Sequence, residues 1–184
     1  TARKLGATTT FSASQAAQGM EFLGMAGFNT GEIIKTMPGL LNLAKAGTLG
    51  LGRASDIASD IMSGFGLKAE DMGRISDVLT ATFTRSNTTL GMLGETMKFV
   101  APVAKTAGLS IEETSAFAGI LANSGIKASQ AGTTLRAMLL RLGAPGNKAR
   151  EILDGLGITL ADSDGNLRNV VDLMSEVAGA TEDL

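Results

Sequence analysis

Three glycine–hydrophobic pairs divide most of the chain into helical segments of similar length. The pairs stand 39 and 42 residues apart and are Gly27-Phe28, Gly66-Leu67 and Gly108-Leu109. A glycine adopts the left-handed conformation that often ends a helix, and the next hydrophobic residue packs back onto it. An acidic residue follows each pair, at the start of the next predicted helix: Glu32, Glu70 and Glu112. The spacing predicts a repeat of two-helix units that bury each other's apolar faces. The alternative is turn chemistry alone, because glycine stops punctuate any all-helical chain.

The third of these units, Gly108–Leu142, carries the clearest helix signals. Ser110 and Glu113 have the spacing of a capping box, in which each side chain satisfies the other's free backbone N–H. A glycine turn follows the first helix, and Ser129 is the predicted N-cap of the second. Pro145 prevents this second helix from continuing. The unit is therefore predicted to be a helical hairpin.

The rest of the chain is also predicted to be mainly helical, with loops at residues 1–11 and 47–52. Pro38 is expected to end one short helix and begin another, and Pro102 to kink or restart a later helix. Outside the hairpin, one helix is predicted to begin at Ser12 or Ser14, and another to follow an N-cap at Asn29. Further helices are predicted at residues 39–46, 53–65, 69–84, 90–100, 147–156 and 170–178.

The predicted fold class is all-α: glycine-rich helical hairpins in a repeat-like array. A strand-like triplet before a strong turn signal, Asp162–Asn166, adds a small β-hairpin near residues 158–168. We expect residues 1–145 to form a helical core module. Residues 146–184 are expected to hold a short helix, a turn and the start of a following segment. The chain begins without Met, and we expect it to be a fragment of a longer protein.

The composition excludes several function classes. The 184 residues contain no His, Cys, Trp or Tyr, and the formal net charge is −2. The usual zinc and haem ligand sets and the His- or Cys-based catalytic triads are therefore missing. The slightly acidic balance gives no electrostatic footprint for nucleic acid. We assign no catalytic, cofactor-binding or metal-binding residue, and we predict that the chain is not an enzyme.

Motifs that could suggest chemistry have simpler explanations. The Asp162–Asn166 stretch begins like a calcium loop, but counting from Asp162 places leucine where an EF-hand requires Gly and Glu. The glycine-rich stretches at 50–52 and 143–148 lack the strand and spacing of a phosphate loop, which indicates helix ends. Glu112 and Glu113 lie in a first helical turn, where the helix dipole accounts for them.

Several stretches together resemble the core region of tailed-phage tail tape measure proteins. The most specific block runs from Leu121 to Thr133, with Leu135-Arg136 and Pro145 after it. The other matching stretches, in the same order along the chain, are residues 5–9, 11–13, 25–28, 40–47, 54–58, 65–67, 86–88 and 100–104.

This resemblance implies a structural role in the virion. Proteins of this family extend along the tail lumen, set tail length during tube assembly and leave ahead of the DNA at infection. The implied partners are further copies of the chain inside the tube, tail tube and tail tip proteins, and tail assembly chaperones. No direct nucleic-acid site is implied, and host membrane contact would come from other parts of the protein. The implied location is the phage tail, after synthesis in the bacterial cytoplasm.

Two other function classes stay open at this point. A membrane-active helical module that aids genome passage is the main alternative, although charged residues within its hairpins, such as Lys105 and Arg136, are costly to bury in a bilayer. An enzyme is the third hypothesis, and it has no candidate residue to support it.

Overall fold

The computed structural model describes residues 1–181, and residues 182–184 lie outside this range. Within it the chain forms α1 (Ala2–Thr8), α2 (Ala13–Met25), α3 (Thr30–Ala46), α4 (Leu51–Phe65), α5 (Met72–Arg85), α6 (Leu90–Thr106), α7 (Ile111–Asn123), α8 (Ala128–Gly143), α9 (Asn147–Gly155) and α10 (Val170–Thr181). A 3-10 turn, Ala69–Asp71, leads into α5. The fold class is all-α, as predicted.

Helices α2 to α8 form two rows, because each of them packs on its second neighbour along the chain. In the first row, α5 packs on both α3 and α7. In the second row, α4 packs on α2 and α6, and α6 packs on α8. Hairpins α3–α4, α5–α6 and α7–α8 thus stack as units 1, 2 and 3, with α1–α2 before them and α9–α10 after them. This is the predicted repeat-like array, in which stability depends on contacts between neighbouring units.

One continuous hydrophobic core lies between the two rows and extends from Ala16 in α2 to Val170 in α10. Large, fully buried side chains come from both rows, among them Leu23, Met37, Leu40, Leu41, Leu43, Ile61, Met72, Ile75, Leu79, Leu90, Leu93 and Met97. Each helix from α2 to α8 contributes the side chains of one face, as the three- and four-residue spacing of its apolar positions requires.

The predicted capping signals are confirmed at most helix boundaries. Capping boxes form at Ser12–Gln15, Asn29–Glu32 and Ser110–Glu113, so α2 begins directly after Ser12. The glycines at positions 27, 66, 108 and 125 have positive φ angles. In each of these four turns the N–H of the following hydrophobic residue donates to a carbonyl five residues earlier, which satisfies the helix end.

The break predicted at Pro38 is wrong, and the restart predicted as one option at Pro102 does not occur. Helix α3 runs through Pro38 and α6 runs through Pro102 without a restart. Both prolines lie on exposed faces, as do Ile34 and Lys98, whose carbonyls lose an N–H partner. Water can satisfy these carbonyls, and burial of the opposite helix faces offsets the lost hydrogen bonds.

Three further local predictions differ from the structure. The polar segment 1–11 contains a helix, α1, which is too short to show a periodic pattern and packs Leu5 against the core. Ser129 is not an N-cap, because α8 begins one residue earlier, after Lys127. The β-hairpin is reduced to one antiparallel bridge between Ala161 and Leu167 around the predicted turn.

Glycines allow neighbouring helices of a row to pack so closely that a Cβ atom at the glycine would overlap the other helix. A Cβ atom on Gly132 of α8 would lie 2.5 Å from the Thr96 carbonyl oxygen of α6. A Cβ on Gly94 of α6 would lie 2.6 Å from Ile57 of α4. Gly39, Gly52 and Gly64 are similarly close to their second-neighbour helices, with a Cβ that would lie under 3.0 Å from them.

We predict opposite effects for alanine at two helical glycines. Gly132→Ala should lower the free energy of unfolding by about 1–3 kcal/mol, because the Thr96 backbone cannot give way without moving α6. Gly73→Ala is the matched control: its Cβ would meet nothing within 4 Å, so it should raise stability by about 0.5–1 kcal/mol. Urea unfolding followed by circular dichroism measures both. Equal effects would contradict the close approach of α6 and α8.

Candidate functional site: the interfaces between stacked units

Ion pairs connect successive units at equivalent positions of the first row. Lys35 Nζ of α3 lies 2.5 Å from Glu70 Oε1, directly before α5. Arg74 of α5 donates from Nε and Nη2 to the two carboxylate oxygens of Glu112 in α7, both at 2.6 Å. A base in one unit therefore binds an acid in the next.

The register of these pairs corrects the sequence alignment of the units. Counted from the glycine that opens each unit, the pairing acids Glu70 and Glu112 stand at the fourth position and the bases at the eighth. Glu32 stands at the fifth position, together with Asp71 and Glu113, and each of these three carboxylates accepts a hydrogen bond from the backbone N–H of its own N-cap residue.

The sequence limits the ion pairs of the first row of helices to these units. Unit 1 has Gly31 at the fourth position, and unit 3 has Ala116 at the eighth. Neither end of the three-unit stack therefore offers the missing half of another such pair.

Further contacts between units occur in the second row and at the opposite ends of the helices. Arg53 of α4 forms an ion pair with Glu95 of α6. At the turn between α5 and α6, the Asn87 N–H donates to Asn123 Oδ1 at the end of α7, at 2.8 Å. The Thr96 hydroxyl donates to the Ala128 carbonyl, at 3.0 Å, where α8 begins.

The sequence block that carries the strongest family resemblance coincides with the interface between units 2 and 3. Within Leu121–Thr133, Asn123 and Ala128 accept the hydrogen bonds from unit 2, Gly125 makes the left-handed turn, and Gly132 allows the close approach to α6. Ala128 itself has a φ of 52°, which strains a residue with a Cβ. The residues of this block therefore have packing and turn-forming roles in this fold.

Two acidic residues, Glu112 and Glu113, have lowered pKa values in this structure. The hydrogen bonds from Arg74 lower the pKa of Glu112 below its ordinary value. The pKa of Glu113 is lowered chiefly by the backbone N–H of Ser110, with a smaller contribution from Asn169. Both carboxylates keep their stabilising contacts only while they are ionised.

The motifs weighed on sequence grounds occupy ordinary structural positions. Asp162 accepts the N–H groups of Asp164 and Asn166, and so closes the turn at the bridge. The stretches at 50–52 and 143–148 are helix boundaries, as predicted, with Gly50 and Gly146 as N-caps. Among residues 1–181, no three His, Cys, Asp or Glu residues are grouped closely enough to hold a metal ion.

The sequence analysis did not identify the basic residues of the ion pairs between units. It attributed Glu112 to the helix dipole, placed Glu70 at the start of a helix, and gave Lys35, Arg53 and Arg74 no role. The available signal was the basic residue eight positions after the glycine in units 1 and 2.

Within residues 1–181, no helix combines the length and hydropathy needed to cross a bilayer.

Comparisons with known proteins identify the class to which this fold belongs. The sequence model described as phage-related minor tail protein matches residues 1–184, and the chain belongs to this family. The tape measure protein of Pneumococcus phage Dp-1 is 41% identical over 183 residues, which cover 97% of this chain and 16% of that protein. The probable tape measure protein of Escherichia phage P2 is 35% identical over 181 residues, which cover 98% of this chain and 22% of that protein.

The chain therefore spans less than a quarter of the length of these relatives. No solved structure matches it. The resemblance noted from the sequence is confirmed, and membership of this family supports a structural role for the chain in a phage tail.

We predict a measurable but small coupling between Arg74 and Glu112. The side chains are 46% and 44% exposed, so a double-mutant cycle with Arg74→Gln and Glu112→Gln should give about 0.2–1 kcal/mol, decreasing at high salt. The control cycle combines Lys98→Gln with Glu112→Gln. Lys98 forms none of the ion pairs seen in residues 1–181. Equal coupling in the two cycles would contradict an inter-unit ion pair.

We also predict loss of stability in acid. Because the pKa values of Glu112 and Glu113 are lowered by folding, their contribution is present above the ordinary glutamate pKa of about 4.3 and disappears as the pH falls through the folded values. The variant Glu112→Gln/Glu113→Gln keeps a capping-box residue and should lose part of this acid dependence. Urea unfolding at a series of pH values tests it, and an unchanged acid profile would refute the assignment.

Proposed function

We propose that this chain is the core module of a tape measure protein, which sets tail length during tail tube assembly and is released ahead of the DNA at infection. The names of the two relatives support this proposal, as does alignment over nearly all of the chain. The proposed ruler is the whole protein, of which residues 1–184 supply one folded module. The proposed location is the virion tail, after synthesis in the bacterial cytoplasm.

The stacked architecture supports a structural role for the module. Ion pairs, turn hydrogen bonds and glycine contacts all connect neighbouring units, so the units reinforce one another along one direction. A rigid stack of this kind presents fixed surfaces for other proteins of the tail. The proposed partners are other copies of the chain inside the tube, tail tube and tail tip proteins, and tail assembly chaperones.

The membrane-active alternative makes a different prediction. A pore-forming module would release the contents of liposomes at neutral pH, and it would have to bring the exposed ions of the inter-unit pairs into or across the bilayer. We expect residues 1–184 to cause no leakage from liposomes. Leakage that rises with protein concentration would favour the alternative.

The ruler proposal is tested by changing the length of the encoded protein outside this module. In the phage that encodes the chain, an in-frame deletion and an in-frame duplication of the same downstream segment should shorten and lengthen the tails seen by electron microscopy. Unchanged tail length in both would refute the ruler function.

Point variants within the module separate its role from that of the ruler. Gly132→Ala should reduce the number of assembled tails without changing their length, whereas Gly73→Ala should leave both unchanged. A shift in tail length with Gly132→Ala would contradict the assignment of this module to folding and assembly.

A further inference from the structure

Residues 147–181, which contain α9, the bridge and α10, pack differently from the three stacked units. No residue of α9 is buried, and α10 buries only Val170 and Leu173. By contrast, α4 and α6 each bury eight residues. We refer to residues 147–181 as the flap.

The glycines show the same contrast in packing. In the stack, several glycines lie so close to a second-neighbour helix that a Cβ would overlap it, as at Gly94 and Gly132. At every glycine from Gly143 to Gly179, a Cβ would meet nothing within 4 Å. None of the flap's glycines therefore marks a close backbone contact with the stack.

An open cleft separates the flap from unit 3. It has a volume of about 550 Å³ and lies between Met138 and Leu142 on α8 and Ala149 and Leu153 on α9. Well-packed helices leave few voids of this size, so α8 and α9 are not in full contact. The linker Ala144–Pro145–Gly146 is the covalent connection between them.

The flap is held together internally. The Arg168 guanidinium donates to the Thr159 carbonyl at 2.7 Å and forms an ion pair with Glu176 of α10. The Asp162 carboxylate closes the turn between the bridged residues. These contacts connect the bridge to α10 as one body.

A single side-chain hydrogen bond from the flap to the stack is seen in the described residues. Asn169 Nδ2 donates to Glu113 Oε1 of α7 at 3.2 Å, while Asn169 Oδ1 caps α10 by accepting from the N–H groups of Val171 and Asp172. Beside it, Val170 joins the continuous core and Leu167 packs against this core. Asn169 and Val170 thus mark the point of attachment.

We propose that the flap swings as a body about Ala144–Pro145–Gly146, with the Asn169–Glu113 hydrogen bond as its latch. Opening uncovers the edge of unit 3 formed by α7 and α8, and closing buries Val170 against it. The inference does not depend on the function proposed for the whole protein.

Asn169→Asp tests the latch without removing the helix cap. The aspartate keeps an oxygen that accepts from Val171 and Asp172 but loses the donor, and it places a second negative charge beside Glu113. The control, Asn147→Asp, adds the same charge to the first residue of α9, away from the latch. Circular dichroism confirms that both variants fold.

Pulsed EPR distances measure the movement, and the absence of cysteine makes the labelling specific. Spin labels at exposed Leu140 and Met174 report on the flap, and labels at Ile120 and Leu140 report on unit 3 as the rigid reference. We expect a narrow distribution for the reference pair and a broader one for Leu140–Met174. Asn169→Asp should increase the ratio of long-distance to short-distance populations by about tenfold or more, as expected for loss of a hydrogen bond to a charged group.

Two results would overturn the proposal. One is a Leu140–Met174 distribution as narrow as that of the reference pair in the wild type and in Asn169→Asp. The other is an equal shift in Asn147→Asp and Asn169→Asp, because the effect would then come from charge alone and the latch would have no role.

Discussion

Close backbone approach between second-neighbour helices is the constraint on which the rest of this structure depends. The two rows can bury a shared core only if α4, α6 and α8 pack at short distance, and Gly94 and Gly132 are the residues that permit it. Interior glycine costs about 0.5–1 kcal/mol relative to alanine in a helix, so its presence at these positions is explained by packing between helices. Other glycines, such as Gly73, lie in open space and have no such explanation.

Like the close approaches, the surface ion pairs join second-neighbour helices, and they are individually weak. An exposed ion pair contributes little to the free energy of folding, and its main effect here is to favour one register between successive units. Lys35–Glu70 and Arg74–Glu112 stand at equivalent positions, and the sequence at Gly31 and Ala116 stops the pattern at both ends. The ion-pair pattern of the first row is therefore confined to three units.

Much of this fold could be predicted from the sequence because its signals are local. Capping boxes such as Ser110–Glu113 and glycine stops such as Gly125 depend on residues within a few positions, so they were correctly placed. Helix α3 was wrongly divided at Pro38, because its continuity depends on tertiary burial of the opposite face. The partners of Glu70 and Glu112 were missed for a related reason: a residue 35 or 38 positions away becomes a neighbour only once the units stack. The family resemblance identified Leu121–Thr133 as distinctive, and the structure gives these residues their physical roles.

The second-neighbour stacking of the helices is tested most directly by nuclear Overhauser effects in solution. The structure predicts cross-peaks between the Gly94 Hα and the Ile57 side chain, and between the Gly132 Hα and the Phe99 Hβ protons. Such contacts join α4 to α6 and α6 to α8, and a bundle in which helices contact only their immediate neighbours along the chain would lack them. Observation of both sets would establish the stacked units, and absence of both in the folded protein would contradict this architecture.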